Sequence, residues 1–416
     1  MLNSVRFFTI ITFLSFSLIY AGGFQINEHG ARGMAMAGAF TAIGGDASAV
    51  YYNPGAVVNL NSTQIMAGAT LIKPNAGFRG PKPAIDEYKV KDKFFNPVNF
   101  YITHSFSKDF AVGFGVNNPY GLGTFWDENW VGRFLAIDTE IRTFFFTPVV
   151  SYRVTDNLSV GAGISYAYGD VLIKRKTQLL PTASEATVNL EGDGTGIGYT
   201  AGILYQPTEC LSVGVSFRSS VKFEFEGDAT AEAPAQFAGL VPTGAISAPL
   251  ETPQNLTFGL AYKVMDELTV SADYQHIGWS SYDKLEVTYE EVTDPSTRVI
   301  SSDRNYEDTY ILRFGGEYLL SDKLALRGGL LYDNNPVLEE YAEPTLPDSD
   351  RLGFNVGFGY SFTNNLTFDV AYLYLRFDER DINNSEISYR DGDAPFLGVY
   401  NSSAHLFGVN FSYKFN

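Results

Sequence analysis

The residues that could do covalent chemistry on this chain are few. It holds 4 His and 1 Cys in 416 residues. A lone thiol makes neither an internal disulfide nor a Cys-based zinc site. Four scattered His leave little material for metal catalysis. One acid and one His lie close together, Asp273 and His276. Their odd spacing puts them on opposite faces of a strand, which argues against an outer-membrane hydrolase. Glu191-Gly192-Asp193-Gly194 and Asp391-Gly392-Asp393 look like pieces of calcium loops. Neither has the spacing of a complete coordination loop. No catalytic residue, metal or cofactor is therefore expected.

What remains is binding chemistry. Between Asn117 and Glu140 the chain gathers Tyr120, Leu122, Phe125, Trp126, Trp130, Phe134 and Leu135. Aromatic rings give large apolar contact at low entropic cost. Left in water, such a loop would be a sizeable apolar patch, so it reads as a capture groove for hydrophobic molecules. A second set is charged. Arg218, Arg313 and Arg327, with Lys263, share the inner register of their strands with Asp273, Glu317 and Asp369. They could receive the carboxylate of an amphiphile. They could equally be a structural ladder paired across strands, since buried charges are usually paired.

These groups need elements to carry them, and a repeated turn reveals those elements. Six times a strand ends, a short polar turn follows, and a new strand opens with Leu or Phe. The copies are Ser107-Lys108-Asp109-Phe110, Thr155-Asp156-Asn157-Leu158, Thr208-Glu209-Cys210-Leu211, Met265-Asp266-Glu267-Leu268, Ser321-Asp322-Lys323-Leu324 and Thr363-Asn364-Asn365-Leu366. Ser, Thr, Asp and Asn suit such turns because their side chains bond local backbone. Behind each turn the pattern has period two. Leu158, Val160, Ala162, Ile164, Tyr166 and Tyr168 face one way; Ser159, Gly161, Gly163, Ser165, Ala167 and Gly169 face the other. Apolar outside and small or polar inside is the pattern of a transmembrane barrel strand. With both ends of the barrel on the short-turn side, six turns imply about 14 strands. The last strand, with His405, Phe407, Val409, Phe411, Tyr413 and Phe415 toward lipid, runs to the C-terminus.

Composition agrees. Tyr (26), Phe (33) and Gly (40) occur together at levels that suit aromatic girdles and a tightly packed inner wall. The 47 acidic residues outweigh 29 basic ones, which argues against a nucleic-acid partner. Phe7 to Ile19 is the one long apolar run, too short to span a bilayer as a helix. With Arg6 before it and Ala21 after it, the run reads as a signal peptide cleaved after Ala21. Export plus barrel patterning places the protein in the outer membrane of a Gram-negative bacterium. There Lys174-Arg175-Lys176, near the outer end of strand five, either meets lipopolysaccharide phosphate or is a solvated face.

Residues 22–61 show no sustained alternation yet are too apolar for a solvated tail, with Met34, Met36, Phe40, Ile43, Tyr51 and Tyr52. They read as a plug for the lumen. At this point the chain resembles the FadL-type outer-membrane transporters of long-chain fatty acids and their relatives for toluene. The likeness rests on Gly23-Phe24-Gln25-Ile26-Asn27, on Asp46 through Asn53-Pro54-Gly55, on Asn118-Pro119-Tyr120-Gly121-Leu122 with Trp130-Val131-Gly132-Arg133-Phe134, and on His405 through Tyr413. Gly55 departs from the family's usual Ala.

The resemblance implies an all-β, 14-stranded antiparallel barrel (62–416) behind a signal peptide (1–21) and an N-terminal hatch (22–61). It implies gating by Gly23, Phe24, Gln25 and a tight turn at Asn53-Pro54-Gly55, where Pro fixes φ and Gly tolerates positive φ. It also implies lateral exit at a kinked third strand, from about Asp109 to Asn117, with Gly113 and Gly115 as the kink. The expected activity is passive uptake of hydrophobic small molecules, long-chain fatty acids first, aromatic hydrocarbons such as toluene as the alternative, and a general aqueous pore after that. A monomer touching outer-membrane lipid and lipopolysaccharide is expected.

Overall fold

A computed structural model describes residues 22–179, 184–292, 295–388 and 393–415. The expected signal peptide lies outside the described residues, as do Asp391 and Gly392 of the second acidic fragment.

Among the described residues a closed antiparallel barrel of 14 strands is formed. The first six are β1 (Thr63–Arg79), β2 (Val98–Ser105), β3 (Phe110–Asn117), β4 (Asp138–Thr155), β5 (Leu158–Leu179) and β6 (Ser184–Tyr205). The next four are each interrupted: β7 (Leu211–Arg218, then Lys222–Glu232), β8 (Gly244–Glu251, then Asn255–Met265), β9 (Leu268–Ile277, then Lys284–Tyr289) and β10 (Val299–Asp303, then Thr309–Ser321). The circuit ends with β11 (Leu324–Asp333), β12 (Arg351–Ser361), β13 (Leu366–Phe377) and β14 (Gly398–Phe415). β14 closes on β1 from Thr63↔Phe415 to Arg79↔Val399. Closure matters because lipid offers no partner for an open sheet edge.

The turn repeat has a physical basis in the structure. In four copies the opening hydroxyl accepts the N–H of the residue that starts the next strand: Ser107 from Phe110 (3.1 Å), Thr208 from Leu211 (3.1 Å), Ser321 from Leu324 (3.2 Å) and Thr363 from Leu366 (3.0 Å). The alternation divides the two faces as expected. Ile164 and Tyr166 are 63% and 50% exposed, while Ala167 is wholly buried. On β14, Phe407, Val409, Phe411, Tyr413 and Phe415 stand outward and Asn410 is buried between them. β5 and β6, at 22 residues each, are far longer than the ~10 residues a bilayer needs, so the hairpin projects beyond it.

Inside the barrel, residues 22–61 form α1 (Ala31–Ala35), α2 (Ala49–Tyr52) and a 3-10 helix, Pro54–Leu60. Met34, Met36, Phe40, Val57 and Val58 are buried. Such short helices leave backbone donors without internal partners, and wall side chains accept several of them. Asn410 Oδ1 takes Ala31 N (2.7 Å), Ser151 Oγ takes Val58 N (3.1 Å), and Asp273 Oδ2 takes both Phe40 N (3.1 Å) and Thr41 N (3.0 Å). Asp273 therefore anchors the plug. His276, on the other face of β9, instead stands 3.7 Å from Asp308.

One local expectation is corrected. Asn53-Pro54-Gly55 is not a tight turn with positive φ at Gly55; it is the capped start of the 3-10 helix. Asn53 Oδ1 accepts Gly55 N at 3.0 Å, and Pro54 sits at the first helical position, where its missing N–H costs nothing. Gly is required at 55 by proximity: a Cβ would come 2.7 Å from the carbonyl oxygen of Gly202 in the wall.

Candidate functional site: a wall interruption sealed by the plug

The third strand breaks, but not at its glycines. Gly113 and Gly115 lie in an unbroken ladder, paired to Thr103 and Tyr101 of β2 and to Val149 and Thr147 of β4. Their missing side chains instead make room for α2: a Cβ at Gly113 would come 2.6 Å from Val50. The interruption falls at Asn118–Tyr120, between β3 and a short strand at Gly121–Phe125 that resumes pairing with β4. Pro119 has no N–H to give. The freed backbone groups still need partners. Asn118 Oδ1 accepts Val98 N (2.8 Å), Asn118 Nδ2 donates to Thr143 O, and Thr143 Oγ1 donates to Tyr120 O (2.6 Å). Side chains thus replace a stretch of the ladder.

The plug's first residues cover this place from inside. Ile26 N donates to Pro119 O (2.9 Å), and Gly121 N donates to Phe24 O (3.0 Å), with Gln25 opposite Tyr120. Phe24 packs edge-on against Trp279, 4.7 Å between ring centres. Gly23 N donates to Asp348 Oδ2 (2.9 Å), and its carbonyl accepts from Arg351 (3.0 Å). Of the expected hatch residues, Gly23, Phe24 and Gln25 meet at the interruption. Asn53, Pro54 and Gly55 lie elsewhere, against β5 and β6.

Two cavities meet here. The larger, about 570 Å³, runs from Phe24 and Ile26 past Tyr120 and Leu122 to Phe94, Phe95 and Phe144 in the wall. The smaller, about 80 Å³ and mainly apolar, lies among Val171, Leu190, Phe225, Leu250 and Tyr306. Both are lined by Phe24, Leu122, Ile141 and Leu346.

The apolar loop divides in two. Tyr120 and Leu122 line cavity space. Trp126 and Trp130 do not line these two cavities; they stack on each other at 4.2 Å and are buried. Their indole N–H groups donate to Pro344 O (3.0 Å) and Ala136 O (2.7 Å). Phe125 stacks with Phe95, and Phe134 lies under the Arg133 guanidinium. The loop escapes being an exposed patch by packing against its neighbours at the barrel mouth.

The cations separate too. Arg327 is held by Glu317 (2.6 Å) and Asp369 (2.6 Å), and Glu317 also binds plug residue Arg32 (2.7 Å). Arg313 donates to Asn27 Oδ1 (2.9 Å). Arg218 donates to Tyr51 O (3.1 Å) and lies over the Tyr51 ring (3.9 Å); among the described residues it has no carboxylate in ion-pair range. Lys263 is not enclosed: it sits at the rim and reaches Asp266 in the turn (2.7 Å). Lys174 and Lys176 are paired with Glu128 (2.7 Å) and Glu185 (3.0 Å). Glu191 to Gly194 are strand, not loop. Sequence reading missed Thr143, Trp279, Asp348 and Arg351, which come from distant strands and loops and carry no local signature.

Comparison with known proteins converges on the same architecture. A 47 kDa outer membrane protein of Pasteurella multocida is 28% identical over 95% of this chain and 94% of its own. A long-chain fatty acid transport protein of Salmonella typhi is 24% identical over 95% of each chain. The crystal structure of a Pseudomonas aeruginosa FadL homologue superposes with a TM-score of 0.85 at 22% identity, covering 95% of this chain and all of that one, which speaks to fold. The sequence pattern of the outer-membrane transport protein family (OMPP1/FadL/TodX) matches residues 13–415. With a plugged 14-stranded barrel already in view, the chain belongs to that family of outer-membrane transport proteins.

Proposed function

We propose that this protein takes up hydrophobic small molecules passively, with long-chain fatty acids as the principal class. The observation that carries this reading is the junction of the two cavities at the plugged wall interruption. An apolar solute can rest in the smaller cavity, pass Phe24 and Leu122, and leave sideways through the larger one near Phe94 and Phe144 once the Phe24–Ile26 strip withdraws. Downhill partitioning supplies the drive, at about 0.8 kcal/mol per buried methylene. Arg218, with no carboxylate in ion-pair range among the described residues, can meet the ligand's carboxylate in a small space shared with Tyr51, Tyr120 and Phe145.

The test is calorimetric titration of the purified, detergent-solubilised barrel with a long-chain fatty acid and with toluene. Saturable fatty-acid binding that weakens about tenfold in Arg218→Gln supports the reading. Binding of neither compound refutes it. A second reading, uptake of aromatic hydrocarbons, is favoured by the smaller cavity itself. It is small, and its cation, Arg304, is already paired with Glu343 at 2.9 Å, which suits a neutral ring. Preference for toluene, indifferent to Arg218→Gln, would select it.

A further inference from the structure

The carboxylates around the start of the plug outnumber their cation. Asp333 and Asp348 are each 3% exposed, and both lie beside one guanidinium, that of Arg351, at 3.5 and 3.8 Å. Those three groups leave one negative charge over. The next charged neighbours do not change the balance. Arg380 donates to the carbonyls of Asp348 and Val337, Arg313 to Asn27, while Asp350 accepts from Tyr332 and Glu28 accepts Asn27 N. An isolated buried charge is costly unless it is matched.

One oxygen shows where the missing cation belongs. Asp333 Oδ1 is buried and has no hydrogen-bond partner. It points at the backbone of Gly22: a Cβ there would come 2.4 Å from Oδ1 and 2.7 Å from Oδ2. The next residue is fixed as tightly. Gly23 has φ +64°, a Cβ on it would come 2.5 Å from Trp279, and its N–H and C=O are held by Asp348 and Arg351. The chain start is thus clasped residue by residue beside an unmatched carboxylate.

We propose that Asp333, Asp348 and Arg351 form the receptor for the α-ammonium group that processing creates on Gly22. Hydrolysis of the Ala21–Gly22 bond by a signal-cleaving peptidase consumes a water and leaves a carboxylate on Ala21 and an ammonium on Gly22. That ammonium supplies the missing positive charge against Asp333. The Phe24–Ile26 strip, two residues further on, seals the wall interruption. Processing therefore locks the seal, whichever solute the barrel carries. The lock also explains the Gly-Gly start, since Gly22 faces a carboxylate and Gly23 has a left-handed backbone.

The experiment is a two-by-two comparison on the processed, full-length mature barrel in detergent. One axis is Asp333→Asn. The other is a single Ser inserted between Ala21 and Gly22, which moves the ammonium one residue away. Hydrogen exchange of amides 23–29 reports docking. With the native start, Asp333→Asn speeds exchange at least tenfold, because it strands the ammonium. With the inserted Ser, the same substitution slows exchange, because it removes an unmatched carboxylate. The same sign in both backgrounds overturns the proposal, as does a mature N-terminus other than Gly22 by mass. Should a variant fail to fold, amine labelling of the native protein decides. At neutral pH the Gly22 amine reacts at least tenfold more slowly than that of a free Gly-Gly-Phe peptide. Equal rates overturn the proposal.

Discussion

Asn53→Ala tests how firmly the plug is fastened. The Asn53 side chain is completely buried and makes three hydrogen bonds. Its Oδ1 caps Gly55 N at 3.0 Å, and its Nδ2 donates to Thr41 O at 2.8 Å and to Ile203 O at 2.9 Å. Loss of an N-cap costs about 1 kcal/mol. Leaving a buried carbonyl such as Thr41 O without its donor costs about 1–3 kcal/mol more. Ile203 lies in mid-sheet, where ladder partners already serve its backbone, so it adds little. The sum is about 2–4 kcal/mol, a factor of roughly 30 to 1,000 in the plug's opening equilibrium. Native-state hydrogen exchange of amides 55–60 reads that factor directly. Amides of β13, remote from Asn53, serve as the internal control and should not change. An increase below threefold at 55–60, with β13 unchanged, would sink the idea that Asn53 fastens the plug to the wall.

Arg327→Met leaves Glu317 and Asp369 facing each other without their shared guanidinium, a loss of about 3–5 kcal/mol, and should lower the thermal midpoint measured in detergent. Asn118→Ala removes the side chain that bridges Val98 N and Thr143 O, and should raise exchange at Val98 and Tyr120 while β5 stays protected. Burial, aided by Asp378, Asp348 and Asp333, pushes the loop residue Asp350 up to about 7, against the opposing pull of the Tyr332 hydroxyl. A carboxyl raised in this way binds its proton more tightly when folded, so the segment Asn334–Asp350 should loosen as pH rises from about 4 to 7. Asp350→Asn should abolish that loosening at pH 8 and change little at pH 5, read by exchange corrected for its intrinsic pH dependence. In planar bilayers the native protein should give no large, stable salt-conductance steps, because Met36, Phe40, Val57 and Val58 fill the lumen at plug level.

The strand count was legible because its physics is local. At four of the six turns a hydroxyl at the head accepts an N–H three residues on, and period-two alternation needs only a strand and two different solvents. The plug was legible for the complementary reason: residues 22–61 are apolar without either period. The Trp126 and Trp130 rings were visible as apolar mass, but whether they line a groove or fill a core depends on Pro344, 218 residues from Trp126. The break in the third strand was placed at Gly113 and Gly115 because glycine weakens a strand in general. In the folded chain those glycines admit Val50, while Asn118 and Thr143 allow the break next door. The clasp on Gly23 joins residues 325 apart. Local periodicity decides how many strands there are and which face each residue takes. Barrel closure and register decide which inward side chains meet, and the wall's opening, the plug's anchors and the charges around the chain start are all such meetings.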